Sequence, residues 1–123
     1  MRQLDLLLLD AELALCRLEP GDRLPDWADG ELVATVRTRD ELSVVCEASA
    51  APVNASGSWR ALRVAGTLDL SLTGVLLALV APLEEAGIPI FAISSYDTDY
   101  VLVPGNQLDQ AVSTLREAGH RLH

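Results

Sequence analysis

A helix ending that occurs twice in the second half of the chain is the feature that most constrains its fold. Leu83-Glu84-Glu85-Ala86-Gly87 and Leu115-Arg116-Glu117-Ala118-Gly119 each close an apolar helical stripe with glycine, and a strand candidate follows each one. Glycine directly after the last helical residue is a common helix stop. With the neighbouring strands, these helices give the order β-α-β-β-α-β. This order predicts a ferredoxin-like α+β sandwich with both helices on one face of an antiparallel sheet.

The periodicity of apolar residues predicts the elements of this unit. A strand over 59–66 is followed by a helix over 72–86, for which Ser71 is the expected N-cap. Strands over 88–94 and 100–103 form a hairpin, with Pro89 suited to an edge strand, and a second helix follows, with Asn106 as its cap. The first helix is also apolar on its opposite face, at Leu77, Ala78 and Ala81, which favours a second packing partner such as another subunit. Only residues 120–123 remain for the last strand, so an N-terminal strand is expected to complete the sheet.

The first half of the chain reads as strands without a clear helix. Apolar segments at 4–9, 13–18, 32–36 and 42–46 are separated by residues typical of turns. The small and polar stretch 48–58 is the predicted boundary within the chain. We therefore expect a helix-poor, strand-rich half over residues 1–57 and a βαββαβ domain over residues 58–123.

Composition narrows the classes of partner. The chain has 123 residues and a net charge of -9, from 18 acidic and 9 basic residues, and every basic residue is arginine. The acidic excess is spread over both halves, so neither nucleic acid nor an anionic membrane is an expected partner. The apolar runs are too short for an export signal or a membrane span. Cys16 and Cys46 have no CxxC partner and are expected as reduced core thiols of a cytoplasmic protein that needs no metal or cofactor.

Two segments resemble a known family. Residues 64–75 and 86–103 are similar to small bacterial tandem ACT-domain proteins, distant relatives of the aspartokinase regulatory domains and of the animal cytosolic arginine sensor. A helix-opening glycine, an Ala-Gly-Ile between elements and an Ile-Ser-Ser-Tyr-Asp-Thr-Asp hairpin occur together in this resemblance, which covers residues 4–122. It implies an ACT sandwich preceded by a degenerate ACT-like half. It also implies a non-catalytic regulatory module that binds a small molecule, often an amino acid, between two ACT units, and a homodimer is the expected assembly.

The expected ligand site lies between the opening of the first helix and the hairpin turn. Free N–H groups and the positive end of the dipole at a helix opening suit a ligand carboxylate. Asp97 and Asp99 stand two residues apart and suit an ammonium group. The predicted site residues are Asp69, Ser71, Leu72, Thr73, Gly74, Val75, Ile93, Ser94, Ser95, Asp97, Thr98 and Asp99.

Structural explanations exist for the same residues. Ser71 suits a cap, Gly74 suits close packing against the preceding strand, and Asp97 and Asp99 are ordinary turn formers. Two other functions therefore stay open: an oligomerisation module without a ligand, and a small enzyme that uses the two aspartates. No catalytic residue is expected, because no base partner joins these acids, and His120 and His123 fall at a predicted frayed C-terminus.

Overall fold

A computed structural model describes residues 2–52 and 55–123, which form two compact units. We call residues 2–10 with Arg60–His123 the helical unit, and Ala11–Trp59 the strand unit. In chain order the elements are β1 (Asp5–Leu8), β2 (Leu13–Leu18), β3 (Ala34–Arg37), β4 (Leu42–Glu47), β5 (Ser56–Val64), α1 (Val75–Glu85), β6 (Phe91–Ser94), β7 (Asp99–Pro104), a 3₁₀ turn (Gly105–Gln107), α2 (Leu108–Glu117) and β8 (Arg121–Leu122).

The division between the units falls inside β5. Sequence analysis places the boundary between residues 57 and 58, because small polar residues before Trp59 read as a loop. In the structure Ser56 and Trp59 already pair with Leu15 and Leu13 of β2. Val53 and Asn54, which belong to the predicted boundary loop, lie outside the described residues.

The strand unit is a small antiparallel sheet. β4 pairs with both β2 and β3, and β2 also pairs with the first residues of β5. One face carries a core of Cys16, Leu42, Val44 and Cys46, against which Trp27 and other partly buried residues pack. The described residues of this unit contain no helix, as the sequence predicts.

The helical unit contains a five-stranded arrangement in the order β6-β7-β5-β1-β8. β1 is antiparallel to β5 and parallel to β8, so the expected N-terminal strand does complete the sheet. The sequence-based division into residues 1–57 and 58–123 groups this strand with the first half. β8 has only two residues, and β1 stands between it and β5, where it continues the sheet.

Both helices bury one face in the core of the helical unit. The core side chains come from α1, from α2 and from the strands, and they include Val75, Leu79, Leu83, Ala111, Leu115, Leu6, Leu62, Val64, Val101 and Val103. Full burial of one such side chain contributes about 1.5–3 kcal/mol. The prediction that Ala78 lies on the opposite face with Leu77 is wrong, because Ala78 is fully buried in the core, whereas Leu77 on the outer face of α1 is 61% exposed. Among the described residues, no helix is long and apolar enough to cross a membrane.

The two helix endings have the same hydrogen bonds. The Ile88 amide donates to the Leu83 carbonyl, and the His120 amide donates to the Leu115 carbonyl, each at 3.0 Å. The intervening Gly87 and Gly119 both have positive φ, the conformation of this C-terminal motif. The repeat in the sequence is therefore a repeat in structure. The predicted cap of the second helix is wrong by one residue, because Asn106 lies in the 3₁₀ turn and Gln107 is the N-cap of α2.

Candidate functional site

A cavity of about 200 Å³ lies beside the first turn of α1. Its walls come from the loop between β5 and α1 and from the turn between β6 and β7, so it lies wholly within the helical unit. We call it the α1 cavity. It is lined by Leu68, Asp69, Leu70, Leu72, Val75, Ser94, Ser95, Tyr96, Asp97, Thr98 and Asp99.

Two hydrogen bonds fasten the β6–β7 turn to the chain that follows β5. The Leu68 amide donates to the Asp97 carbonyl at 2.7 Å. The Thr98 hydroxyl donates to the Val64 carbonyl, also at 2.7 Å. Thr98 is only 3% exposed, so this bond satisfies a polar group that burial removes from water. The two walls of the cavity are thus held together at its base.

Hydrogen bonds within the turn close it and orient the Asp99 side chain. The Ser95 amide donates to the Thr98 carbonyl at 2.9 Å, and the Ser94 hydroxyl donates to one carboxylate oxygen of Asp99 at 2.6 Å. Ser94 and Asp99 are also cross-strand partners at the end of the hairpin. The second oxygen of Asp99 and the Asp97 carboxylate accept no hydrogen bond from the described residues. Both remain available to a donor on a ligand.

Asp69 organises the loop before α1. One of its carboxylate oxygens accepts from the Ser71 amide at 2.8 Å and from the Ser71 hydroxyl at 2.7 Å. These bonds favour the charged form and hold the pKa of Asp69 below its ordinary value. The prediction that Ser71 caps the helix is wrong, because Gly74 is the N-cap of α1. The helix begins at Val75, later than the predicted 72.

Gly74 is the N-cap of α1 and has a φ of 79°, the left-handed conformation that glycine favours. A Cβ atom added there would contact nothing, so the position does not relieve crowding against the preceding strand. Glycine is explained by its φ angle. Its carbonyl accepts the first helical bond, from Ala78, at 3.0 Å, and no side chain of the described residues caps the helix. The amides of the first turn therefore remain open to another acceptor.

The structure brings most of the predicted site residues to the α1 cavity. Asp69, Leu72, Val75, Ser94, Ser95, Asp97, Thr98 and Asp99 line it. Ser71, Thr73, Gly74 and Ile93 are not among its lining residues. Ile93 pairs with Tyr100 in the β6–β7 hairpin, and the Thr73 carbonyl accepts a hydrogen bond from the Arg2 guanidinium at 3.1 Å.

Three lining residues were not in the predicted set. Leu68 is partly buried against the core, whereas Leu70 and Tyr96 are 68% and 79% exposed. An apolar residue inside a polar loop, as at Leu70, is the signal that the sequence offers. With Leu72, which is 43% exposed, these side chains form an apolar rim around the α1 cavity.

The cavity combines two kinds of charge. Asp69, Asp97 and Asp99 place carboxylates in its wall, and no basic side chain is among the described residues that line it. The amides at the opening of α1 supply the positive end of a helix dipole. In the described part of the chain, no group of three or more His, Cys, Asp or Glu side chains is placed to hold a metal ion.

The two cysteines belong to the strand unit, and neither lines the α1 cavity. Cys16 and Cys46 are free thiols in the core of that unit. Burial raises the pKa of both thiols, which disfavours the thiolate that a nucleophile or metal ligand requires. Their placement agrees with the core role expected from the sequence.

Comparison with known proteins adds a family model and solved structures. The ACT-domain model matches residues 54–117, and a model of an N-terminal domain matches residues 11–54. A protein from Agrobacterium tumefaciens is 33% identical with a TM-score of 0.92, covering 100% of this chain and 94% of that chain. A Vibrio cholerae protein of unknown function, described as a possible transport protein, is 25% identical with a TM-score of 0.76, covering 94% and 90%.

An aspartate kinase structure shows the same fold at lower identity. The regulatory subunit of aspartate kinase from Thermus flavus is 12% identical with a TM-score of 0.65, and the alignment covers 95% of this chain and 99% of that chain. The comparison supports the ferredoxin-like α+β fold predicted from the sequence. No curated protein matches the chain.

Proposed function

This chain belongs to the ACT-domain family, whose fold is regulatory, and from that premise we propose that it is a non-catalytic module that binds an amino acid in the α1 cavity. The observation that carries the proposal is the pairing of an uncapped helix opening with free aspartate oxygens around one cavity. An amino acid is a zwitterion, and each pole meets the opposite charge there.

The ligand carboxylate accepts from the first-turn amides of α1, where the dipole is positive. The ligand ammonium donates to the free oxygen of Asp99 or to Asp97, at the other wall. Hydrogen bonds to charged groups contribute about 1.5–3 kcal/mol each. Ser71, Thr73, Gly74 and Ile93 support the walls in this proposal, and the lining residues make the contacts.

The apolar rim supports a second part of the proposal, a homodimer. Leu70, Leu72 and Tyr96 leave apolar surface exposed around an open cavity, and exposed patches of this kind mark interaction sites. A second copy that covers the rim would exclude water from the ligand and strengthen its charged contacts. We therefore propose that the ligand is held between ACT units of two copies.

The composition of the chain bears on its localisation and on its other partners. We propose a cytoplasmic protein with reduced cysteines, without cofactor or metal, that binds neither nucleic acid nor membrane. Its acidic composition and its lack of lysine support that assignment.

Thermal unfolding in the presence of each of the twenty amino acids at millimolar concentration tests the proposal. A ligand at one hundred times its Kd adds about 2.7 kcal/mol to the free energy of unfolding, which a melting curve detects. Stabilisation by one or a few amino acids, and not by the others at the same ionic strength, is the expected result. A uniform response, or none, contradicts amino-acid binding.

An oligomerisation module without a ligand is the second candidate. The observation that favours it is further exposed apolar side chains in the helical unit, Leu77 on α1 and Phe91 on β6. Because β6 has β7 as its only strand partner among the described residues, one of its edges is also unpaired. A melting temperature that rises with protein concentration, without any response to amino acids, would favour this candidate.

A further inference from the structure

One buried histidine lies outside the α1 cavity and outside the proposed function. His120 is 4% exposed, although the sequence places it near a C-terminus predicted to be frayed. That prediction is wrong, because the following residues, Arg121 and Leu122, pair in parallel with β1. A buried imidazole needs a partner for each ring nitrogen, and both partners here are backbone groups.

The first partner is a carbonyl left open by a proline. Pro82 lies inside α1 and has no amide hydrogen, so the carbonyl four residues earlier, that of Ala78, loses its helical donor. Ala78 is fully buried, and solvent does not replace that donor. The His120 Nε2 atom lies 2.8 Å from the Ala78 oxygen and occupies the place of the missing amide.

The second partner fixes the protonation state of the ring. The Leu4 amide lies 3.1 Å from His120 Nδ1, and Leu4 is itself buried. A backbone amide only donates, so Nδ1 accepts and carries no proton. The proton is then on Nε2, which donates to Ala78. The contact network requires a neutral imidazole in one tautomer.

The charged side chains of the surrounding elements do not hydrogen-bond to this ring. Asp5 on β1 pairs with Arg121 at 2.7 Å and with His123 at 3.0 Å. The remaining charged residues near the ends of the packed helices are exposed; they are Glu84 and Glu85 on α1 and Arg116 and Glu117 on α2. Among the described residues, the ring therefore has Leu4 and Ala78 as its hydrogen-bond partners.

We propose that His120 is a pH-sensitive tie between α1 and the chain entering β1, closed when the imidazole is neutral and opened by its protonation. A proton on Nδ1 turns the acceptor for Leu4 into a donor, so two N–H groups face each other in a buried place. No carboxylate hydrogen-bonds to the ring to offset the new charge. Acid therefore releases the N-terminal segment from the helix whose first turn lines the α1 cavity.

The tautomer gives the first test. Nitrogen-15 NMR of the whole protein at pH 8 should show His120 with a protonated Nε2 and an unprotonated Nδ1. The opposite tautomer, or rapid exchange between the two, would overturn the proposal. This measurement needs no substitution and does not depend on ligand binding.

The pH dependence of unfolding gives the second test. His120→Gln is the matched variant, because its amide oxygen can accept from Leu4 and its NH₂ can donate to Ala78, while it does not titrate. Both proteins carry His123→Gln, because His123 is a second imidazole and contacts Asp5. Because the tie holds only the neutral imidazole, acid should lower the folding equilibrium constant of the protein with His120, by up to about tenfold per pH unit, relative to the glutamine variant. Parallel pH profiles would overturn the proposal.

Amide hydrogen exchange covers the case in which the glutamine variant does not fold. In the protein with His120 intact, the protection factor of the Leu4 amide should fall at least tenfold between pH 8 and pH 5. The Ile88 amide, bonded to the Leu83 carbonyl in the same unit, is the internal control. Equal changes at both amides would indicate general unfolding and would contradict a local tie.

Discussion

The two helices of the helical unit occupy equivalent places in the βαββαβ order, yet they begin differently. α2 follows a 3₁₀ turn and carries Asp109 in its first turn, where an acid complements the positive end of the helix dipole. α1 begins after Gly74, and its first turn contains no acid. The charge at the start of α2 is compensated within the helix, whereas the start of α1 is left for another anion. The α1 cavity lies at the uncompensated end.

The two helices begin differently, but they end alike. Leu83 and Leu115 are both fully buried, and both helices close with the same carbonyl–amide bond. The difference between the two ends is Pro82, which lacks the amide that would donate to the Ala78 carbonyl of α1. His120 contacts that carbonyl instead. In the helical unit, the helix endings that repeat stabilise the fold. The two features that do not repeat are the start of α1 and Pro82, and they coincide with the proposed ligand site and with the His120 tie.

Truncation of the equivalent core leucines should have the largest effect. Leu83→Ala and Leu115→Ala should each lower the free energy of unfolding by about 2–5 kcal/mol, because each opens a cavity in the core. Leu77→Ala, on the exposed face of α1, should change it by less than about 0.5 kcal/mol. Urea unfolding of the three variants checks this. A cost at Leu77 as large as that at Leu83 would mean that the outer face is covered by a partner.

Replacement of His120 should have the next largest effect on the free energy of unfolding. His120→Phe keeps an aromatic ring and leaves the Leu4 amide and the Ala78 carbonyl unpaired, which costs about 2–6 kcal/mol, since each such group costs about 1–3 kcal/mol.

The background Pro82→Ala is the control for this effect. An alanine amide at position 82 can donate to the Ala78 carbonyl, so the cost of His120→Phe should fall by about 1 kcal/mol there. A double-mutant cycle of urea unfolding measures the coupling. Equal costs in the two backgrounds would show that His120 does not replace the helical donor.

The sequence predicted the elements whose signals are local. The apolar stripes and glycine stops of both helices and the β6–β7 hairpin can each be read within a few turns of chain. Asp97 and Asp99 were predicted from their spacing and from the family resemblance; both line the α1 cavity, and their role in binding stays a prediction.

The features that the sequence did not give depend on competition or on distant partners. Ser71 is a good N-cap by residue type, but it lies in a turn with Asp69, and the helix begins four residues later, after Gly74. The burial of His120 depends on β1 and α1, which are remote from it in sequence. Tyr96 has no local pattern that distinguishes a cavity wall from an exposed loop, and at Leu70 the only signal is an apolar residue inside a polar loop.

The charge of Asp99 should affect ligand binding more than stability. Asp99→Asn keeps the hydrogen bond from Ser94 and removes the charge that the proposed ammonium contacts. We expect the Kd of a stabilising amino acid to rise about tenfold, a loss of about 1.4 kcal/mol. Asp109→Asn, on the exposed face of α2, is the matched control and should leave that Kd unchanged. Calorimetric titration that finds the same Kd in both variants would move the ligand away from Asp99.

The smallest expected effect on stability comes from an acid added to the first turn of α1, which tests the difference between the two helix starts. Leu77→Glu places an acid in the first turn of α1 at an exposed position, where it should stabilise the free protein by about 0.3–1 kcal/mol relative to Leu77→Gln. The neutral glutamine variant controls for the loss of apolar surface, including any effect on dimer formation. The same glutamate should weaken amino-acid binding relative to glutamine, because the ligand carboxylate would meet a helix end that is already compensated. Melting curves of both variants with and without the ligand measure the two effects together. If glutamate stabilises the free protein and leaves the affinity unchanged, the ligand carboxylate does not lie at the opening of α1, and the resemblance of that opening to an anion site has no role in binding.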